Sequence, residues 1–184
     1  MSIKKPLKDI VGEILSDMDS EGINSISDTV EAQQVASIVE RTFYNLIANK
    51  VIPENEQLLK LVAYSDLDYP AMFKYPENIK KVTRVWYMVD GDYREVKLVS
   101  PEEFLRRTDL RSEDYVDMIE PKSGTLLKIG TDQNPSFYTS FDDQNLVFNS
   151  FDITVDDTLK AAKIRAFGAV YPNFKIEDDY IPEC

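Results

Sequence analysis

Histidine is absent from the 184 residues, and there is one cysteine, Cys184. Without histidine, Ser-His and Cys-His nucleophilic catalysis is excluded, and so is a histidine-ligated zinc site. A single cysteine permits no disulfide within the chain, which suits a reducing compartment. No apolar run approaches the roughly 18 residues of a membrane-spanning helix. The N-terminal stretch MSIKKPLKD has no apolar core of the signal-peptide kind, so a cytosolic start is expected. Positive charge is in short supply: 21 Lys and Arg stand against 33 Asp and Glu, a net charge of −12. That balance favours solubility and repels nucleic acid, and it excludes a sequence-independent grip on DNA phosphates by the chain as a whole.

What is present is enough apolar surface for one domain. Hydrophobic residues make up 43%, with 10 Tyr and 9 Phe, which argues against disorder. Leu7, Ile10, Val11, Ile14, Leu15 and Met18 follow helical spacing and predict a helix over about 6–18, with Pro6 at its start. Val35, Ile38, Val39, Thr42, Phe43, Leu46 and Ile47 predict a second, running to about residue 49, with Asp28 and Glu31 read as its capping pair.

From there the apolar period becomes two. LLKLVAY (58–64), VTRVWYMV (82–89) and DYREVKLV (92–99) predict strands, with Asp90-Gly91 as a tight hairpin turn. Ser100-Pro101-Glu102-Glu103 opens a short helix ending near Arg107. TLLKIG (125–130), SFYTSF (136–141) and NLVFNSF (145–151) add strands, the last two joined by a turn at Asp142-Asp143-Gln144-Asn145. Residues 158–171 read as strand from the alternation of Ala162, Ile164, Ala166, Gly168 and Val170. The fold class is α+β: an N-terminal helical hairpin (1–52) packed on a mostly antiparallel β body with one short helix and a polar C-terminal tail (53–184), together one structural unit.

Three patterns suggest chemistry, each with a plainer reading beside it. Asp17, Asp19, Glu21, Gly22 and Asp28 fall at places 1, 3, 5, 6 and 12 of a calcium loop. Against this, Asp28 is shorter than the usual bidentate Glu, Asn24 stands where an apolar residue is usual, and there is no second loop. A plain helix connection explains the stretch more economically; a calcium-binding helix-loop-helix regulatory module on residues 17–28 is the alternative function. The pairs Asp142-Asp143, Asp156-Asp157 and Asp178-Asp179 suit a magnesium site only if carboxylates from separate elements converge; turns and solvated surface account for them otherwise. Lys80, Lys81 and Arg84 before Trp86 and Tyr87, and Arg106, Arg107 and Arg111 after Glu102 and Glu103, are weak nucleic-acid footprints in an acidic chain. No catalytic, cofactor-binding or metal-ligating residue is assigned, and no cofactor is expected.

Four stretches, in this order, carry a family resemblance: DIVGEILSDMDS, INSISDTVEAQQVASIVERTFYNLI, SFYTSFDDQNLVFNSFD and TVDDTLKAAKIRAFGAVYPNFKIEDDYIPE. Over about residues 9–183, most weakly over 52–120, the chain resembles the head-to-tail adaptors of short-tailed bacteriophages, also called gatekeepers or tail tubular protein A. The resemblance implies a non-enzymatic virion protein of the neck and tail, assembled in the host cytoplasm. It implies a homo-oligomeric ring of twelve copies bound to the portal protein above and the tail nozzle protein below, with tail fibres as a further contact. DNA passes through the channel without specific binding, and no membrane is involved. Similar proteins continue into a long C-terminal helix that packs on the N-terminal helices. This chain stops at Cys184, so the apolar faces of residues 7–18 and 35–47 are expected to be uncovered within one chain.

The implied conduit gives the acidity a use. Twelve copies at −12 carry about 150 negative charges, a wall that repels DNA at short range without gripping it. Some of Asp142, Asp143, Asp156 and Asp157 are expected to line or approach the lumen. Residues 108–123 are read as a long loop that reaches a neighbouring subunit or the nozzle.

Overall fold

The computed structural model describes residues 4–182, apart from 49, 51–52, 113, 132 and 154–160. The chain forms two compact units, one of Met1–Glu56 with Tyr171–Cys184 and one of Gln57–Val170. It is an α+β fold with an N-terminal pair of helices and a large, mostly antiparallel sheet.

The first unit contains α1 (Leu7–Asp17) and α2 (Val30–Ala48). Leu7, Val11 and Leu15, four residues apart, turn one stripe of α1 inward, against Ala32, Val35, Ala36, Phe43 and Ile47 of α2. The faces expected to be uncovered are therefore buried in part, at Leu7, Val11, Leu15, Val35, Phe43 and Ile47, while Met18, Ile38 and Leu46 stay exposed. The buried parts pack on each other and on Phe174 and Tyr180 of the C-terminal segment. Phe174 lies 5.1 Å from the Phe43 ring and 4.8 Å from that of Tyr180. The same segment solves a backbone problem. Pro6 precedes α1 and offers no side-chain cap, so the first N–H groups of the helix need other acceptors. Leu7 N–H donates to the Tyr180 carbonyl at 2.7 Å and Lys8 N–H to that of Asp178 at 3.2 Å. Tyr44 OH donates to the Pro172 carbonyl and accepts from Phe174 N–H. Residues 171–182, which sequence alone placed with the β body, thus group with the helices.

In the second unit the strands are β1 (Glu56–Leu59), β2 (Val62–Ala63), β3 (Met72–Lys74), β4 (Ile79–Val89), β5 (Asp92–Leu98), β6 (Tyr115–Ile119), β7 (Leu126–Gly130), β8 (Phe137–Thr139), β9 (Asn145–Phe148) and β10 (Ile164–Val170). Eight form one sheet in the order β1-β10-β4-β5-β8-β9-β3-β2; β6 and β7 pair separately. The β5–β8 pair is parallel, while β10–β4, β4–β5, β8–β9, β9–β3 and β3–β2 are antiparallel. Of residues 158–171, read as strand, Ile164–Val170 form β10, while Ala161–Lys163 make a 3-10 turn instead; residues 154–160 lie outside the described residues. At the centre of the core the Phe148 ring meets Phe73, Tyr87 and Tyr138 edge-on at 5.5, 6.2 and 6.3 Å.

Local chemistry explains the turns. Asp90 and Gly91 both have positive φ (52° and 90°), as a two-residue hairpin turn between twisted strands requires. Helix α3 (Pro101–Asp109) is capped by Ser100, whose hydroxyl accepts from Glu103 N–H, as its sequence predicts. The expected long loop at 108–123 is a correction: it holds β6, which pairs with β7 across a turn at 120–124. Met118 is buried on one face, and Glu120 fixes the turn by accepting from Lys122 N–H, Ser123 N–H and Ser123 OH. Burial raises the Glu120 carboxyl, but the bonds from Ser123 and Lys122 outweigh it and hold the pKa below its ordinary value.

Candidate interaction surfaces

The calcium-like stretch takes a definite shape. Helix α1 ends with Ser20 N–H on the Leu15 carbonyl (3.0 Å) and Asp19 N–H on that of Ser16 (3.2 Å), with Asp19 left-handed at φ 56°. These are the paired bonds of a Schellman helix ending, with aspartate where glycine is usual. One Asp28 carboxylate oxygen accepts from Asn24 N–H and Ser25 N–H, both at 2.8 Å, tying the connection into a turn. Asp28 does not cap α2. Thr29 does, accepting Ala32 N–H at 3.0 Å, because its hydroxyl stands three residues before that donor. Glu31 instead accepts from the Ser20 hydroxyl. Among the described residues no three acidic or cysteine side chains gather as a cation site.

The other predicted groups disperse. Asp142 accepts Gln144 N–H, Asn145 N–H and the Asn145 side-chain amide, and Asp143 has a left-handed φ of 58°; both serve the β8–β9 turn. Asp156 and Asp157 lie outside the described residues. Asp178 accepts from Ile26 N–H, within the helical unit. Tyr87 is buried and Trp86 half-buried, so Lys80, Lys81 and Arg84 do not continue into a fully exposed aromatic platform. Arg107 pairs with Glu103 and lies over the Phe137 ring, as an i,i+4 ion pair on a short helix.

Two surfaces stand out. The first is the outward side of α2. Val30, Gln34, Ile38, Thr42 and Leu46, each four residues from the next, form one exposed ridge with no charge on it. Ile38 is 51% and Leu46 59% exposed. Beside it runs Gln33, Ser37, Arg41 and Asn45, with one charge. In a chain in which 29% of residues are charged, these five ridge positions carry none.

The second is a cavity of about 780 Å³ in the β unit, between the first half of β4 and the end of β5. Its lining includes Tyr75 and Tyr138. Burial pushes the Tyr75 phenol far above its ordinary range and lifts that of Tyr138 to about 12, so both stay neutral hydrogen-bonding groups. The sequence reading missed this cavity, although the charges flanking it are legible from the hairpin register. No helix among the described residues is long and apolar enough to cross a membrane. No protein-family model and no curated protein matches the chain.

Proposed function

We propose that this chain is a structural virion protein, the subunit of a head-to-tail adaptor ring that joins the portal protein to the tail nozzle protein of a short-tailed bacteriophage and surrounds the DNA ejection channel. It works by fitting surfaces together and converts no substrate. The order of the four resembling sequence blocks over residues 9–183 suggests the family. The observation that carries the reading to a mechanism is the uncharged ridge of α2, with Ile38 and Leu46 facing out. An uncharged ridge with exposed Val30, Ile38 and Leu46, left over after a helical unit has completed its own core, fits a protein that meets copies of itself or other shell components. The net charge of −12 supports a conduit that lets DNA slide.

Native mass spectrometry of the full chain, alone and with purified portal protein of the same particle, tests this. The expected result is a monomer alone and a ring of defined copy number on the portal. A chain that neither binds portal nor oligomerises on it overturns the proposal.

A further inference from the structure

Strand β5 changes partners midway. Over residues 92–96 it pairs antiparallel with β4; Lys97 and Leu98 pair in parallel with Phe137 and Tyr138 of β8. The β4–β5 ladder ends at Val85 opposite Val96. One more step would set Arg84 against Lys97, and like charges directly opposite destabilise a ladder. On its other edge β4 is bulged. Arg84 faces Phe167 and Val82 faces Gly168, so Thr83 is extra; Lys81 faces Ala169 and Ile79 faces Val170, so Lys80 is extra. Bulges bend and overtwist a strand, and here they lead β4 away from β5. Over residues 81–84, β4 has β10 on one side and no described strand on the other.

The cavity lies in this split. Lys80, Lys81 and Val82 form one wall, Leu98 and Val99 the other, and Thr139 also lines it. The Thr139 hydroxyl is buried and has no hydrogen-bond partner among the described residues, an acceptor and donor waiting for a ligand group. Lys80 and Lys81 line the split, with Asp143 as the one described carboxylate on the lining; Asp142 and Glu95 act on the phenols of Tyr75 and Tyr138 from outside it. The balance on the lining itself is opposite to the chain's −12.

We infer that the cleft between β4 and β5 accepts an extended, acidic peptide segment of a partner protein as an added strand. Main-chain bonds to the open edge of β4 supply affinity, Val82, Leu98 and Val99 receive its apolar side chains, and Lys80 and Lys81 on the lining select for carboxylates. A strand edge four residues long, about 13 Å at the usual rise, matches a peptide backbone better than a small anion. The inference stands apart from the adaptor reading and holds or fails without it.

The test uses the full chain with three probes: the capped hexapeptide Glu-Val-Glu-Val-Glu-Val, its Lys-for-Glu counterpart, and sodium acetate at matched carboxylate concentration. Amide hydrogen exchange of residues 81–84 and Leu98 is the readout, since Lys97 and Val99 N–H already donate to the Ser136 and Tyr138 carbonyls. The acidic peptide is expected to slow exchange there by about tenfold or more, with neither of the other probes doing so. Lys81→Glu, at an exposed position that keeps the fold, is expected to weaken the acidic peptide about tenfold. Unchanged exchange with the acidic peptide overturns the inference. Equal protection by the basic peptide removes the charge argument and overturns it. Protection by acetate alone makes the cleft a small-anion site and overturns it as well.

Discussion

Asp178 receives the backbone N–H of Ile26 at 2.8 Å, across 152 residues of sequence. That bond, with the Ser25 hydroxyl and the Lys8 charge adding to it, holds the Asp178 carboxyl below its ordinary pKa. A depressed carboxyl adds stability that is fully present above the unfolded value, about 3.9, and is lost as pH falls through the folded one. Asp178→Asn keeps an acceptor and removes the charge. The variant is expected to melt lower than the parent at pH 7, with the gap closing as both are brought towards pH 3. Parallel melting curves at both pH values would show that the charge contributes nothing.

Asp19 holds the left-handed residue of the α1 ending, at φ 56°, and carries a negative charge at the negative end of the helix dipole. Glycine adopts that backbone without strain. Asp19→Gly is expected to stabilise the protein by about 0.5–1 kcal/mol, read by urea denaturation. The same variant separates the two readings of residues 17–28. A calcium site would lose a ligand, so a calcium-dependent rise in melting temperature that vanishes in the variant would favour the cation.

Gly168 stands at the β4–β10 bulge, where an added Cβ would lie 2.2 Å from the Lys81 carbonyl oxygen and 3.0 Å from Val82 Cα. Both are backbone atoms of a paired strand and cannot swing aside. Gly168→Ala is expected to cost about 1–3 kcal/mol of unfolding free energy. A variant as stable as the parent would mean that β4 is free to shift at the bulge.

Thr139 gives a test with the opposite sign. Its buried hydroxyl lacks a partner among the described residues, and valine has nearly the same shape. Replacing an unsatisfied buried hydroxyl by a methyl removes a desolvation cost, so Thr139→Val is expected to be neutral or stabilising by about 1 kcal/mol. A loss of that size would reveal a hydrogen bond in solution.

The sequence disclosed what short-range patterns control and little of what distant segments decide. The stripe of Leu7, Val11 and Leu15, the Asp90-Gly91 turn and the Ser100 cap were readable because period, turn chemistry and capping act within a few residues. The cover over the two helices was not, since Phe174 and Tyr180 arrive from the far end of the chain and their neighbours NFKIEDDY show no helical or strand period. Residues 108–123 looked like a loop because β6 spans only Tyr115–Ile119, five residues with aspartate in the middle. The split beside β4 follows from arithmetic about the Asp90-Gly91 turn, which sets 84 opposite 97 once 89 faces 92. Reading strands singly, without their register, conceals it.

The ridge of α2 decides whether this helical unit is finished in isolation. Ile38 and Leu46 are exposed, and neither belongs to the buried helical core. Aspartate at either position removes no internal contact of that core, so stability should change by no more than about 0.5 kcal/mol. In an assembly the same change puts a charge into an apolar contact, where truncating or charging a central residue commonly costs 2 kcal/mol or more, at least about thirtyfold in affinity. Ile38→Asp with Leu46→Asp is therefore expected to leave the urea transition of the purified chain unmoved while abolishing ring formation on the portal. Ser37→Asp, on the adjacent polar row, controls for added charge alone. If the double variant still assembles at parental concentrations, the ridge faces solvent in the particle, and the contacts of the ring must be sought on the β unit.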